Sequence, residues 1–169
     1  MTILKALKIL VDRHGCEHFH LKIVGDGPPE YLALLQSYTA QENLDGFVTF
    51  VGSVPKSDIP QIFNESDIFV FASKWPEPFG RVIVEAMASG VAVVAAEVGG
   101  AAEIVENEYN ALTFNADDAD TLASHLNTLI GDAAIRETLI ENGYTSAQKF
   151  DVDRMAAELI TALLAFQID

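Results

Sequence analysis

The sequence predicts an α/β domain: a parallel sheet flanked by helices. Three observations predict it. Short apolar runs of strand composition alternate with stretches whose apolar residues recur at the helical period. Two of these runs, Ile68–Ala72 and Val91–Ala95, are apolar throughout, as strands covered on both faces are. At roughly 150 residues per domain, the 169 residues make a single domain over 1–169 that buries a core without staples.

Taken in order, the elements begin with a helix. Ile3, Leu4, Leu7, Leu10 and Val11 fall near a 3.6-residue period, with Thr2 as candidate cap at the start and Gly15 at the end. His20–Val24 is a strand closed by Gly25–Pro29, and a helix over about 30–43 puts Leu32, Leu35 and Tyr38 on one face. Phe47–Val51 is a second strand ending at Gly52. Ser57 then caps a short helix carrying Ile59, Ile62 and Phe63, with Pro60 tolerated in its first turn. Strand 68–72, loop 73–80, helix 81–89 and strand 91–95 follow. Gly99-Gly100 opens a turn into a short helix over 102–106, and 111–114 is a last strand. Three helices, 117–130, 133–141 and 152–165, are expected to pack over the sheet and complete its cover. Strands spaced by helices in this way imply parallel pairing through crossovers.

Composition narrows the function classes. Acidic residues number 25 against 10 basic ones, a formal charge of −15, which argues against nucleic acid and anionic membrane surfaces. Half the residues are hydrophobic and 21% are charged, a globular balance. Cys16 is the single cysteine, so no internal disulfide is expected and a reducing, cytoplasmic setting fits. No apolar run approaches the ~18 residues of a membrane span. The amino-terminal stretch carries charge through its apolar part and has no small-residue cleavage site, unlike a signal peptide.

In a parallel α/β sheet, ligands bind at the carboxyl ends of the strands. That selects the loops Gly25–Pro29, Gly52–Pro55, Ser73–Gly80 and Glu97–Gly100. In the third, Glu77-Pro78-Phe79-Gly80 lies between a buried strand and a helix N-terminus, whose free N–H groups suit phosphates or hydroxyls. Gly80 allows close approach to the main chain. Glu85 follows in a helix that is apolar almost all round, so it is expected to be buried, at a cost unless paired. Two readings stay open: an intrahelical pair with Arg81, or a second carboxylate that shares one pocket with Glu77 and grips hydroxyls.

The stretch Glu77-Pro78-Phe79-Gly80-Arg81-Val82-Ile83-Val84-Glu85-Ala86-Met87-Ala88-Ser89-Gly90 resembles the E-x7-E signature of family 4, or group 1, glycosyltransferases. Val24-Gly25-Asp26-Gly27-Pro28 resembles the family's V-G-D-G-P turn, and Val48-Thr49-Phe50-Val51-Gly52 its V-x-F-x-G strand. Asp67 with its strand, Val98-Gly99-Gly100 and Glu103 stand where the family has D-x-F-V, V-G-G and an acid, so the resemblance runs through nearly the whole chain from Ile3.

The resemblance implies the Rossmann-like, C-terminal, donor-binding half of a GT-B enzyme. Such an enzyme moves a hexose-type sugar from a nucleotide diphosphate to a glycan, lipid or small-molecule acceptor, retaining anomeric configuration and needing no metal or other cofactor. In that pattern Glu77 bonds donor-sugar hydroxyls, and the main-chain N–H groups of Phe79, Gly80 and Arg81 meet sugar or diphosphate. Glu85 accepts from the ribose hydroxyls; Gly25, Val51, Gly52 and Val54 line the base pocket; Gly99 and Gly100, with Gly80, offer amides to phosphate.

Two departures temper it. The family's domain opens with a strand and a G-R-x-x-x-x-K-G-like loop whose cations hold the leaving group, and neither cation falls on a residue of this chain. The acceptor-binding N-terminal domain is likewise outside it, so the alternative is a non-catalytic nucleotide- or nucleotide-sugar-binding module, or a structural interaction domain, that needs a separate acceptor-domain chain. Since leaving-group stabilisation is a large catalytic contribution, the polypeptide alone is expected to be nearly inactive. In the doubly wound order the missing strand lies between those at 20–24 and 68–72, so either two unpaired edges are expected or those strands close the gap, and a homo-oligomer is one way to supply the pairing.

Weaker signals read as structure. His14, Cys16, His18 and His20 sit at a helix-to-strand turn without zinc spacing. Gly25–Glu30 departs from a dinucleotide fingerprint at its third glycine, so NAD is not expected. Lys74 and Trp75 either touch ligand or shield the loop. The acidic run Asn115–Asp120 is a capped helix start lacking the pattern of a calcium loop, and Arg136, Lys149 and Arg154 read as surface charge.

Overall fold

The computed structural model describes residues 1–165. Their order is α1 (Thr2–His14), β1 (Leu21–Val24), α2 (Pro29–Gln41), β2 (Val48–Gly52), α3 (Ile59–Asn64), β3 (Ile68–Phe71), α4 (Arg81–Ala88), β4 (Ala92–Ala96), α5 (Ala101–Ile104), β5 (Leu112–Phe114), α6 (Ala119–Gly131), α7 (Ala133–Ala147) and α8 (Val152–Ala165). Short 3-10 turns occupy Lys56–Asp58 and Gln148–Phe150.

Every strand ladder is parallel, but the strands form two sheets. One is β1–β2, with Leu21 opposite Val48 and Ile23 opposite Phe50. The other is β3–β4–β5, with Phe69 opposite Val93 and Ala95 opposite Thr113. The break falls between β1 and β3, where the absent family strand was expected.

Alternation along β4 divides the core. Ala92, Val94 and Ala96 face one cluster with Leu4, Leu7 and Leu10 of α1 and Leu122, Leu126 and Leu129 of α6. Val93 and Ala95 face the other, with Phe63, Ile83, Met87, Ala101 and Ile104. All five β4 residues are buried, as its unbroken apolar run required. Helix α7 reaches both clusters, through Leu139 and Ala147.

Some local expectations are corrected. Thr2 lies inside α1 and does not cap it; its hydroxyl instead donates to Asp117 Oδ1 at 3.1 Å. Ser57 caps no helix, because its hydroxyl turns to Asp58 Oδ1 at 2.8 Å and a 3-10 turn precedes α3. Helix α7 runs past 141 through Gly143, where a Cβ would sit 3.2 Å from Met87 Cγ, so this glycine is a close-packing position and not a helix end. Arg136 is no loose surface charge: its guanidinium donates to the Leu129 and Ile130 carbonyls and closes the end of α6. Along helix α8 the described side chains are all exposed, Leu159, Ile160 and Leu163 among them, so these do not cover the sheet as expected.

Candidate functional site

The carboxyl edge carries two groups of candidate residues. In the first, the loops after β1 and β2 are joined by a hydrogen bond from Gly25 N to Gly52 O at 2.8 Å. Both glycines have positive φ, 122° and 77°, which lets each chain turn sharply off its strand. Val51 is 40% exposed beside them, Val54 is half-buried, and Ser53 Oγ lies 3.5 Å from Asp26 Oδ2.

In the second group, the loops after β3 and β4 interlock. Gly100 N donates to the Glu77 carbonyl at 2.8 Å. A Cβ on Gly99 would lie 2.5 Å from that same oxygen, and one on Gly100 would lie 2.4 Å from the Pro78 carbonyl. These glycines therefore have a packing role whatever they offer a ligand. Gly80 caps α4 with φ 81° and no side-chain bond, so no side chain caps the first-turn N–H groups of α4. A half-buried Glu77 stands just before them. Phe79 sends its ring to Phe150, edge-on with centroids 5.4 Å apart, while Trp75 is largely exposed.

Glu85 departs from expectation in its exposure, and of its two open readings the intrahelical pair with Arg81 is the one the structure contains. Its side chain is 41% exposed and Oε1 takes a 2.9 Å bond from Arg81 Nε. The residue is therefore not a buried charge seeking a partner; it is an outward i,i+4 pair that leaves the second carboxylate oxygen free of that contact. Cavities of about 660 and 510 Å³ lie elsewhere, and neither is lined by any candidate site residue. At the carboxyl edge Glu77 stands beside the α4 N-terminus, and Glu85 lies about 6 Å further along the helix axis than Arg81, at 1.5 Å per residue.

Between the two groups sits a cluster that sequence reasoning missed. Lys74 pairs with Asp117, Thr2 donates to the same carboxylate, and the Met1 amino group donates to Tyr31 Oη at 3.1 Å. The Lys74 contact holds the Asp117 carboxyl below its ordinary pKa, and burial followed by the Lys74 charge lowers that of the Met1 amino group. Lys74 therefore braces the loop against α1 and α6 instead of standing free for a ligand. His20, from the histidine-rich turn, bonds Thr49 Oγ1 through Nε2 at 2.8 Å.

The parallel sheets, their helical cover and a glycine-turned carboxyl edge define a Rossmann-like ligand-binding domain of the GT-B type. Residues 2–146 match the family described as glycosyl transferases group 1, and the chain belongs to that family. An uncharacterised glycosyltransferase of Methanocaldococcus jannaschii is 28% identical over 159 residues, 94% of this chain and 39% of its own length. The sulfoquinovosyl transferase of Arabidopsis thaliana is 32% identical over 158 residues, 87% of this chain and 31% of the plant protein. The structure of Anabaena HepE in complex with UDP and glucose superposes with a TM-score of 0.85 at 32% identity, covering 97% of this chain and 44% of that one. The chain thus spans well under half the length of these relatives.

Proposed function

We propose that this chain is the donor-binding domain of a retaining glycosyltransferase, holding a nucleotide-diphosphate sugar without a metal at the carboxyl edge of its strands. The observation that carries the reading is the α4 N-terminus: no side chain caps its first-turn N–H groups, Glu77 precedes them, and Glu85 follows on an exposed face. Uncapped N–H groups and the positive helix end suit a diphosphate, and carboxylates suit sugar and ribose diols. Phe79, Gly80 and Arg81 offer main-chain groups to sugar or phosphate, and Gly99 and Gly100 lie against that loop. Gly25, Val51, Gly52 and Val54 form the base side of the edge, with the sharp turns at Gly25 and Gly52 exposing main chain. The Arg81 pair must loosen or share its carboxylate for Glu85 to take a ribose, a small cost for an exposed pair.

UDP leads the candidate nucleotides, because the Anabaena neighbour binds it. The acceptor is proposed to be a glycan, lipid or small molecule bound by a separate N-terminal domain, and the protein to work in the cytoplasm. The chain alone is expected to turn over little, lacking the cations that hold the leaving group.

A thermal-shift panel of UDP-, GDP- and ADP-sugars, with and without EDTA, tests the reading. One nucleotide class should stabilise the chain by about 2.7 kcal/mol at a hundredfold excess over Kd, unaffected by EDTA. Glu85→Gln should weaken that binding while leaving the fold intact. No response to any nucleotide sugar, or ordinary turnover by the chain alone, would count against it.

A further inference from the structure

Trp75 lies in the loop that follows β3, yet neither the donor site nor the core absorbs it. It is 75% exposed, about twice the exposure of Phe79 in the same loop at 39%. The ring therefore does not shield the loop.

Its main chain, by contrast, is fixed. Trp75 N–H donates to Ser73 Oγ at 3.3 Å, and the Ser73 hydroxyl donates to the Trp75 carbonyl at 3.2 Å. That carbonyl also accepts from Glu77 N at 2.8 Å, which closes a three-residue turn on Pro76. The proline ring fixes φ near the value such a turn needs, and it restricts Trp75 before it to extended backbone. Lys74 is tied to Asp117 on one flank, and the Glu77 carbonyl to Gly100 N at 2.8 Å on the other. An aromatic ring mounted on pinned backbone has little left to lose in conformational freedom when something covers it.

The surroundings select what covers it. A protein partner meets contiguous apolar surface, and Trp75 lacks it: the Phe79 ring turns edge-on to Phe150, while Ser73, Lys74, Glu77 and Asp117 are polar. A sugar ring has the complementary pattern. One face of C–H groups, made electropositive by the attached oxygens, suits the electron-rich indole face, and a rim of hydroxyls suits the polar groups around it.

We propose that Trp75 is a stacking platform for a pyranose ring of the acceptor, so that the acceptor is a glycan or a glycosylated lipid and not a bare lipid or an apolar small molecule. This assignment rests on the donor-edge reading above: Glu77 and the α4 N-terminus, which follow Trp75, go to donor sugar and diphosphate, and the flank before Glu77 is left to the ring that receives the sugar.

Trp75 is the one tryptophan of the chain, so the spectrum of isotopically labelled chain holds a single indole N–H resonance to follow. The chain is titrated with maltohexaose, with mannotriose, with octyl glucoside below its micellar concentration and with a phosphocholine of the same alkyl length. The nucleotide-sugar panel is run beside them. A saccharide or the glucoside should move the indole resonance, with saturation transfer from the chain to its ring C–H protons; tighter binding of the glucoside than of the free saccharides identifies a glycosylated lipid. Trp75→Leu, apolar but without a ring face, should weaken that binding about tenfold or more. Trp75→Phe should keep most of it, and both variants should leave stabilisation by nucleotide sugars unchanged. The proposal is overturned if no saccharide or glucoside moves the resonance, if only a nucleotide sugar or the phosphocholine does, or if Trp75→Leu binds saccharide as the parent does. Saccharide contact at Trp75 without stabilisation by any nucleotide sugar sustains the platform and overturns the donor reading instead.

Discussion

The β1–β2 half and the β3–β4–β5 half are built to different standards. In the second, β4 is wholly buried between two clusters, and the loops leaving β3 and β4 are wedged together at Gly99 and Gly100. In the first, β1 is a half-buried edge, and a Cβ added at Gly25, Gly27 or Gly52 would meet nothing. Capping divides the chain differently, setting α6 and α7 apart from the helices before them. Asp118 and Asp132 cap α6 and α7 through their carboxylates, whereas α1 to α5 have no side-chain cap. Close loop packing is thus found where sugar and phosphate are proposed to bind, and the base side is left to loops held mainly by one main-chain bond between Gly25 and Gly52.

The sharpest way to break this contrast is by core truncation. Leu122→Ala, at a fully buried position, should cost about 2–5 kcal/mol in urea unfolding. Ile23→Ala on β1 should cost about 1 kcal/mol, in proportion to its partial burial. Equal losses would mean that the edge strand β1 is packed as tightly as the cluster it borders.

The loops provide the next test. Gly100→Ala should cost about 1–3 kcal/mol by overpacking against Pro78 and Phe79, and should weaken nucleotide-sugar binding by displacing Glu77. Gly27→Ala should be close to neutral in unfolding experiments, since the added methyl meets open space.

A smaller effect tests capping. Asp118→Ala should lower the urea midpoint at neutral pH, as loss of a helix cap does. Hydrogen bonds from Thr121 N and Oγ1 hold the Asp118 carboxyl below its ordinary value of 3.8. A depressed folded pKa gives stability that is complete above the unfolded value and lost as pH falls through the folded one. Urea midpoints below about pH 4 should therefore fall less steeply in the variant than in the parent. The smallest change is expected from Glu85→Gln, under ~0.5 kcal/mol because the Arg81 pair is exposed; a large loss would make Glu85 a structural residue.

Much of this was legible from local signals. Continuous apolar runs located β3 and β4, the Gly15, Gly25 and Gly80 turns fell where left-handed backbone is needed, and the acidic run at 115–120 gave the Asp118 cap. Most of what escaped depended on distant partners, Glu85 being the local exception. Glu85 was expected to be buried because α4 looked apolar all round, yet Arg81, Glu85 and Ser89 repeat at i,i+4 and mark an outward stripe that could have been read. The Lys74–Asp117–Thr2 cluster joins three separate segments, and the Arg136 cap on α6 forms only because the chain doubles back after Gly131. The exposure of α8 depends on what packs against it, which a helical period alone does not specify.

The wedge between the 76–79 loop and the Gly99-Gly100 turn has an implication for anyone recombining members of this family. Because the two stretches leave no room for even a methyl between them, a change in the backbone of one has to be matched in the other. Grafting one from a relative while keeping the native version of the other should yield misfitted chimeras, and transplanting both together should carry selectivity intact.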